Sequence, residues 1–194
     1  LNSPSVAFQA LKTLARIDYA IGSYESARDF AHSALQVRPN DKEAWIFWTK
    51  SLEALNDVSA RLTAYQDFVE RHGPHADVLV NWGRALIEQG HTESGVEKMV
   101  DAIEEDPANV NARLNLGDTL YQLGAFAEAA TQYETALRLD GTNPEAWFCL
   151  GNAAAQMGAG AAALASYRQA LTLNPEHAKA AHNMALVEQE FAAA

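Results

Sequence analysis

Apolar residues in this chain follow a helical spacing that returns every 34 residues. Gly83, Gly117 and Gly151 show this period, as do Tyr133 and Tyr167. A fixed period of this length is typical of a helical-repeat solenoid, in which each repeat buries its apolar face against its neighbours. The period continues without insertion or deletion, and it predicts five complete repeats followed by a terminal segment. The repeats are 8–41, 42–75, 76–109, 110–143 and 144–177, and the terminal segment is 178–194.

Each repeat contains two predicted helices separated by a turn. When a repeat is numbered from 1 to 34, positions 4, 7, 8 and 11 are mostly apolar or small, and this spacing forms one face of an amphipathic helix. Position 15 is Gly in four repeats and Asn56 in the other. Both residue types tolerate the left-handed conformation that ends a helix. Positions 20, 24 and 27 are mostly small or apolar along a second helix, and small residues at positions 8 and 20 let the two backbones approach closely.

The repeat pattern resembles a known family. In the last complete repeat it reads Trp147-x2-Leu150-Gly151-x2-Ala154, then Ala163-x3-Tyr167-x2-Ala170 and Pro175. This is similar to the tetratricopeptide repeat (TPR), a helix–turn–helix unit of the same length. The resemblance covers residues 8–194. It implies an all-α, right-handed superhelical solenoid in which the first helices line a concave groove that binds peptides or proteins. The unbroken period predicts a single domain over residues 1–194.

The second repeat departs from the pattern. Thr49 replaces glycine at position 8, Arg61 replaces the small residue at position 20, and Phe68 replaces the one at position 27. Compensating packing is one explanation, because cores tolerate joint changes. The other is a local bend or a binding feature around the aromatic residues of this repeat, Trp45, Phe47, Trp48 and Phe68.

The two ends of the chain also carry signals. Ser3 and Pro4 have the order of an N-cap and a first helical residue. The terminal segment keeps the phase of a first helix but has Glu188 at position 11, which suits a solvent-facing capping helix. The chain begins with Leu1 rather than Met, which is typical of an excised or processed product. A targeting signal or a catalytic domain outside these residues therefore stays open.

Composition narrows the possible partners. The chain has 14 Lys and Arg against 25 Asp and Glu, a net charge of −11, whereas nucleic-acid binders normally carry a basic face. Its one cysteine, Cys149, cannot form an internal disulfide. This favours a reducing compartment such as the cytoplasm and leaves the bacterial periplasm open. The longest weakly apolar stretch, 153–165, is interrupted by polar residues and glycines and cannot span a bilayer.

We find no catalytic signature, and the sequence predicts no metal site and no cofactor. Residues 158–163 fit a loose dinucleotide fingerprint, but no strand precedes them. His72 and His75 flank a turn without a third ligand, so surface histidines are the simpler explanation. The sequence by itself therefore predicts a protein that is not an enzyme.

The most informative side chains lie on the remaining face of the first helices. Four cations occur there in an otherwise acidic protein, beside a row of apolar residues at position 5 and amides at position 6. Amides can donate to and accept from an extended peptide backbone, and exposed apolar rows often mark interfaces. The residues predicted to contact a partner are Lys12, Arg16, Ile46, Phe47, Lys50, Val80, Asn81, Arg84, Leu114, Asn115 and Phe148.

Alternatives to a binding face remain open at this stage. Lys50 could pair with Glu53 and Arg84 with Glu88 on solvated helices, and the apolar row could pack between first helices. The Lys and Asn clamp by which some TPR proteins hold chaperone C-termini is matched at Lys12 alone, which argues against that ligand.

The sequence thus predicts a protein-interaction scaffold that binds an acidic and apolar segment, without nucleic acid and without membrane insertion. One alternative is a regulatory or substrate-recruiting segment of a larger enzyme. Self-association through the convex face or an open end is a further possibility.

Overall fold

The computed structural model describes residues 4–193, with side chains through Gln189. These residues form eleven α-helices and no β-strand. The helices are α1 Pro4–Ala20, α2 Tyr24–Val37, α3 Lys42–Ala54, α4 Val58–His72, α5 Ala76–Glu88, α6 Thr92–Glu105, α7 Val110–Gln122, α8 Phe126–Leu139, α9 Pro144–Gln156, α10 Gly160–Leu173 and α11 Ala178–Ala193. The five predicted helix pairs and the terminal helix are confirmed. The predicted N-cap Ser3 lies outside the described residues.

The helices belong to two compact units. Unit 1 holds α1 to α4 and residues 84–92, and unit 2 holds residues 75–83 and the described residues from 93 onward. The single domain over residues 1–194 stays a prediction. None of the described helices is long and apolar enough to cross a membrane.

Local sequence determines where the helices begin and end. Position 15 has a positive φ in every repeat, including the non-glycine residue Asn56 at 54°, as predicted. The last residue of a repeat, at position 34, is a second local signal, which the sequence analysis did not use. Its side chain caps the amino-terminal end of the following helix. Asp41 and Asn109 each accept a hydrogen bond of 2.9 Å from a backbone N–H three residues later. His177 does the same for Ala180, at 3.2 Å through Nδ1.

The irregular second repeat is part of the core of unit 1. Trp45 packs edge-on against Phe68, with ring centroids 4.5 Å apart, and against Trp48 at 4.9 Å. Phe8, Leu35 and other residues of α1 to α4 complete this cluster. Helix α3 packs less closely against α4, its partner in this repeat, than α1 packs against α2. Most of the aromatic residues therefore serve compensating packing, the first of the two explanations offered by the sequence.

The core of unit 2 depends on glycines at position 8. A Cβ atom added to Gly83 would lie 2.6 Å from the backbone oxygen of Gly95, so these helices meet at backbone contact. At Gly117 and Gly151, the added atom would instead lie 2.7 Å and 2.5 Å from the rings of Tyr133 and Tyr167. The close approach predicted for positions 8 and 20 is therefore present at Gly83, whereas the other two glycines accommodate a tyrosine.

Candidate interaction surface

Two of the four predicted cations, Lys12 and Arg84, form ion pairs with carboxylates of unit 1. Lys12 is only 13% exposed and lies 3.2 Å from Asp41 and 2.6 Å from Glu43. The hydrogen bonds and charges of these carboxylates outweigh burial and raise the pKa of Lys12. Because its ammonium already has two anionic neighbours, Lys12 fastens α1 to the start of α3 and is poorly placed to attract a partner.

Arg84 is also paired, although with a different partner from the one considered in the sequence. It lies 3.7 Å from Glu53, and both side chains are about half exposed. Glu88 pairs instead with the buried Arg61. The Arg84 pair is a surface contact of small energetic value, so a partner's carboxylate could compete for this guanidinium more easily than for Lys12.

The remaining two cations, Arg16 and Lys50, are exposed and form no ion pair among the described residues. Each lies one helical turn from a half-buried aromatic residue, Arg16 from Tyr19 and Lys50 from Phe47. The rings of Tyr19 and Phe47 are 5.9 Å apart and connect α1 to α3. The two free cations therefore flank one aromatic contact. Tyr19 was not among the predicted site residues, although its helical phase beside Arg16 could have indicated it.

The predicted apolar row does not have one environment. In unit 1, Ile46 is 48% exposed and available for contact. In unit 2, Val80 is 1% and Phe148 8% exposed, while Leu114 is half-buried. Phe148 packs against Tyr167 and against His177, whose ring centroid is 4.9 Å away. The expectation of an exposed row does not hold for Val80 and Phe148, because these side chains pack into the helical interior.

The predicted amides of unit 2 also differ from one another. Asn115 donates through Nδ2 to the backbone oxygen of Asn111 at 2.8 Å and to its Oδ1 at 2.9 Å, so its amide is engaged within α7. Asn81 is half-buried on α5. Of the two, Asn115 would have to exchange bonds of its own before donating to a peptide.

In two repeats of unit 2, the residue at position 9 accepts a hydrogen bond from the tyrosine at position 24 of the same repeat. Tyr133 donates to Asp118 at 2.7 Å, and Tyr167 donates to Asn152 at 2.8 Å. Asn183 also donates to Asn152 at 2.8 Å and links α11 to α9. This arrangement was not predicted, and the 34-residue recurrence of Gly, Asp or Asn, and Tyr could have revealed it. The side chains of Asp118 and Asn152 therefore link helices to one another, and these bonds occupy acceptor atoms that a ligand would otherwise use.

The predicted face of α9 also carries the chain's one cysteine, Cys149, which is half-buried. Burial, followed by the charge of Asp118, raises the pKa of the Cys149 thiol to about 12. The thiol therefore stays protonated at neutral pH and is a poor nucleophile. Among the side chains that the structure describes, those of residues 4–189, no cluster of three or more His, Cys, Asp or Glu residues could hold a metal ion.

Comparison with known proteins identifies the repeats. Residues 117–158 match a model described as TPR repeat, and residues 144–177 match one described as tetratricopeptide repeat. A search of curated proteins gives no significant match.

Several solved structures share the fold. A structure of PilF from Pseudomonas aeruginosa matches with a TM-score of 0.76 and 20% identity, over 92% of this chain and 82% of that one. A thermophilic TPR protein from Thermus thermophilus matches with a TM-score of 0.69 and 23% identity, over 94% and 99%. YrrB, described as having an unusual peptide-binding site, matches with a TM-score of 0.70 and 17% identity, over 94% and 97%.

Proposed function

Because this chain is a tetratricopeptide-repeat protein, we propose that it is an interaction scaffold that binds an acidic and apolar segment of a partner on the first helices of unit 1. The observation that carries the proposal is the pair of exposed cations, Arg16 and Lys50, beside the aromatic contact between Tyr19 and Phe47. Neither cation has an ion-pair partner among residues 4–189, whose side chains the structure describes.

Electrostatics supports an acidic ligand. The protein carries a net charge of −11, so exposed cations without a partner create a local reversal of sign. Such a region attracts acidic segments and accelerates their encounter, an effect that salt screens. Arg84 extends this region through a weak, exchangeable pair with Glu53.

The same surface offers apolar contact. Ile46 is 48% exposed on α3, and Phe47 is half-buried one residue later. A ligand with Leu or Phe near its acidic residues would cover these side chains and gain about 25 cal/mol per Å² of apolar surface removed from water.

The scaffold acts without catalysis of its own in this proposal. The fold is one that generally serves as a scaffold, and the thiol of Cys149 is held in its unreactive form by a pKa of about 12. Partner recognition, not chemistry, is the role that these side chains favour.

The first test uses synthetic peptides with alternating Glu and Leu, and a matched set with alternating Lys and Leu, in fluorescence anisotropy. The acidic set should bind more tightly, and its affinity should fall as salt rises. Arg16→Glu with Lys50→Glu should weaken binding roughly tenfold or more, equivalent to about 1.4 kcal/mol. Ile46→Ala should weaken binding with little salt dependence.

A matched control is Arg138→Glu with Arg168→Glu, which makes the same charge change on exposed residues of second helices. This control should leave the affinity close to wild type. Equal losses in both double variants would mean that only net charge matters. Equal binding of acidic and basic peptides would contradict the proposed ligand.

A further inference from the structure

A second surface, on the outer face of α1, has the features of a helix–helix interface. One strip of exposed side chains on α1 is apolar, and exposed polar residues such as Gln9 and Arg16 lie beside it. Val6 is 60%, Leu14 40% and Ile17 47% exposed, and Ile21, the first residue after the end of α1, is 70% exposed. The buried residues of the same helix, Phe8 and Ala15, lie on its other side. A helix that is apolar on two sides is normally covered on both.

Comparison with the later repeats supports this conclusion. Position 3 is alanine in α1, α3, α7, α9 and α11, and it is at most 2% exposed in all of them except α1, where Ala10 is exposed. The residue at position 10 is also buried in later repeats, whereas its equivalent in α1, Ile17, is 47% exposed. The buried residues at this position are Ser51, Thr119, Ala153 and Val187. In α3, α9 and α11 this face packs against the second helix of the preceding repeat. The equivalent face of α1 has no such cover among the described residues.

The spacing of the outward residues specifies what kind of helix would fit. They occur alternately three and four residues apart, which is the spacing of a coiled-coil seam. The seam is small at its amino-terminal end and large at its carboxy-terminal end, and its midpoint is Leu14. Its members are Ala7, Ala10, Leu14, Ile17 and Ile21.

We propose that two copies of this chain associate through α1, antiparallel about a two-fold axis at Leu14. In this arrangement Ile21 of one copy faces Ala7 of the other, Ile17 faces Ala10, and Leu14 faces its own counterpart. Large side chains therefore meet small ones along the whole contact, which fills space evenly. A parallel pair would place two isoleucines together at one end and two alanines at the other, leaving the packing uneven.

Charge is compatible with this pairing. The residues that flank the seam on its open side, Val6, Thr13 and Ala20, are uncharged and exposed. These three flanking residues would therefore bring no like charges together across the two-fold axis. An isologous contact of this kind closes on itself and stops at the dimer.

The area available makes the dimer weak. The seam and its flanking residues on both copies would remove on the order of 1,000 Å² from water, close to the lower limit for a specific interface. A dissociation constant on the order of 10–100 µM is expected for such a contact. The monomer and the dimer should therefore both be populated at accessible protein concentrations.

Sedimentation velocity of the whole chain, from about 1 µM to about 1 mM, tests the dimer directly. Ile17→Glu should raise the dissociation constant at least about tenfold. The matched control is Leu186→Glu, because Leu186 on α11 is also 47% exposed but lies outside the seam. A chain that stays monomeric over this range would overturn the proposal, as would equal effects of the two variants.

Cysteine cross-linking tests the geometry independently of variants that weaken the contact. In a Cys149→Ala background, Leu14→Cys should form a covalent dimer on oxidation, whereas Ile21→Cys alone should not. Ala7→Cys combined with Ile21→Cys should cross-link. Preferential cross-linking of Ile21→Cys alone would contradict the antiparallel arrangement. The chain could instead remain monomeric and bind a peptide with the sequence of α10. That result would show that this face accepts a helix resembling the second helix of a repeat, and it would overturn the dimer.

Discussion

At the scale of single residues, position 8 requires glycine where the facing helix leaves no room for a Cβ atom. Gly117 faces the ring of Tyr133, which is 1% exposed and held by its hydrogen bond to Asp118. Because the ring is enclosed and its hydroxyl is anchored, it cannot rotate away from an added side chain. Gly83 faces backbone instead, which has even less freedom to move.

Gly117→Val should therefore destabilise the protein by on the order of 1–3 kcal/mol, as overpacking typically does. The measurement is urea unfolding followed by circular dichroism. Ala127→Val, at an exposed position of α8, controls for the lower helix propensity of valine and should change stability by less than about 0.5 kcal/mol. An unchanged midpoint for Gly117→Val would show that the ring can yield after all.

At the scale of elements, an unusual ion pair joins α4 to the end of α5 within unit 1. The side chain of Arg61 is 5% exposed, its partner Glu88 is 42% exposed, and the Nε of Arg61 is buried without a hydrogen bond. Removing one partner of a buried pair leaves a charge uncompensated, which costs more than the pair contributes. Glu88 therefore matters for holding these helices together despite its partial exposure.

Glu88→Ala should lower the free energy of unfolding by on the order of 1–3 kcal/mol, a value reduced from that of a fully buried pair because Glu88 is solvent-screened. Glu53→Ala is the matched control. It removes an equivalent carboxylate from the exposed pair with Arg84 and should cost less than about 0.5 kcal/mol. If the two variants unfold at the same urea concentration, Arg61 finds other compensation.

At the scale of the whole molecule, folding raises the pKa of buried tyrosine and cysteine side chains in both units. Burial raises the pKa of Tyr65 in unit 1 to about 12, and burial also raises the pKa of Cys149 in unit 2 to about 12. Burial and the hydrogen bond to Asp118 raise the pKa of Tyr133 as well. In the unfolded chain these groups ionise near their ordinary values of 10 for tyrosine and 9 for cysteine.

Stability should therefore be retained below about pH 9 and lost between about pH 9 and 12, because the unfolded chain releases these protons first. The free energy of unfolding from urea titrations at successive pH values measures this loss. Tyr65→Phe and Cys149→Ala should each reduce the alkaline slope. A slope that neither substitution alters would mean that other groups dominate alkaline unfolding.

The candidate site could be predicted from the sequence only in part. Arg16, Lys50, Ile46 and Phe47 are on the accessible surface that the helical phase assigned to them. Phase also placed Val80 and Phe148 on that face, but it cannot tell how far a neighbouring helix covers a side chain. Tyr19 was missed because its importance comes from the ring of Phe47 on another helix.

The sequence by itself determined the repeat, the helix ends and the turns of this protein, because these depend on periodicity and on backbone preferences over a few residues. Gly or Asn56 at position 15 is such a local signal. Only the tertiary structure decided which cations are free and which apolar residues are buried. Lys12 is neutralised by Asp41, 29 residues away, and Arg61 by Glu88, 27 residues away. Such pairings depend on how separate helices pack, and a periodic pattern within one helix carries no information about that distance.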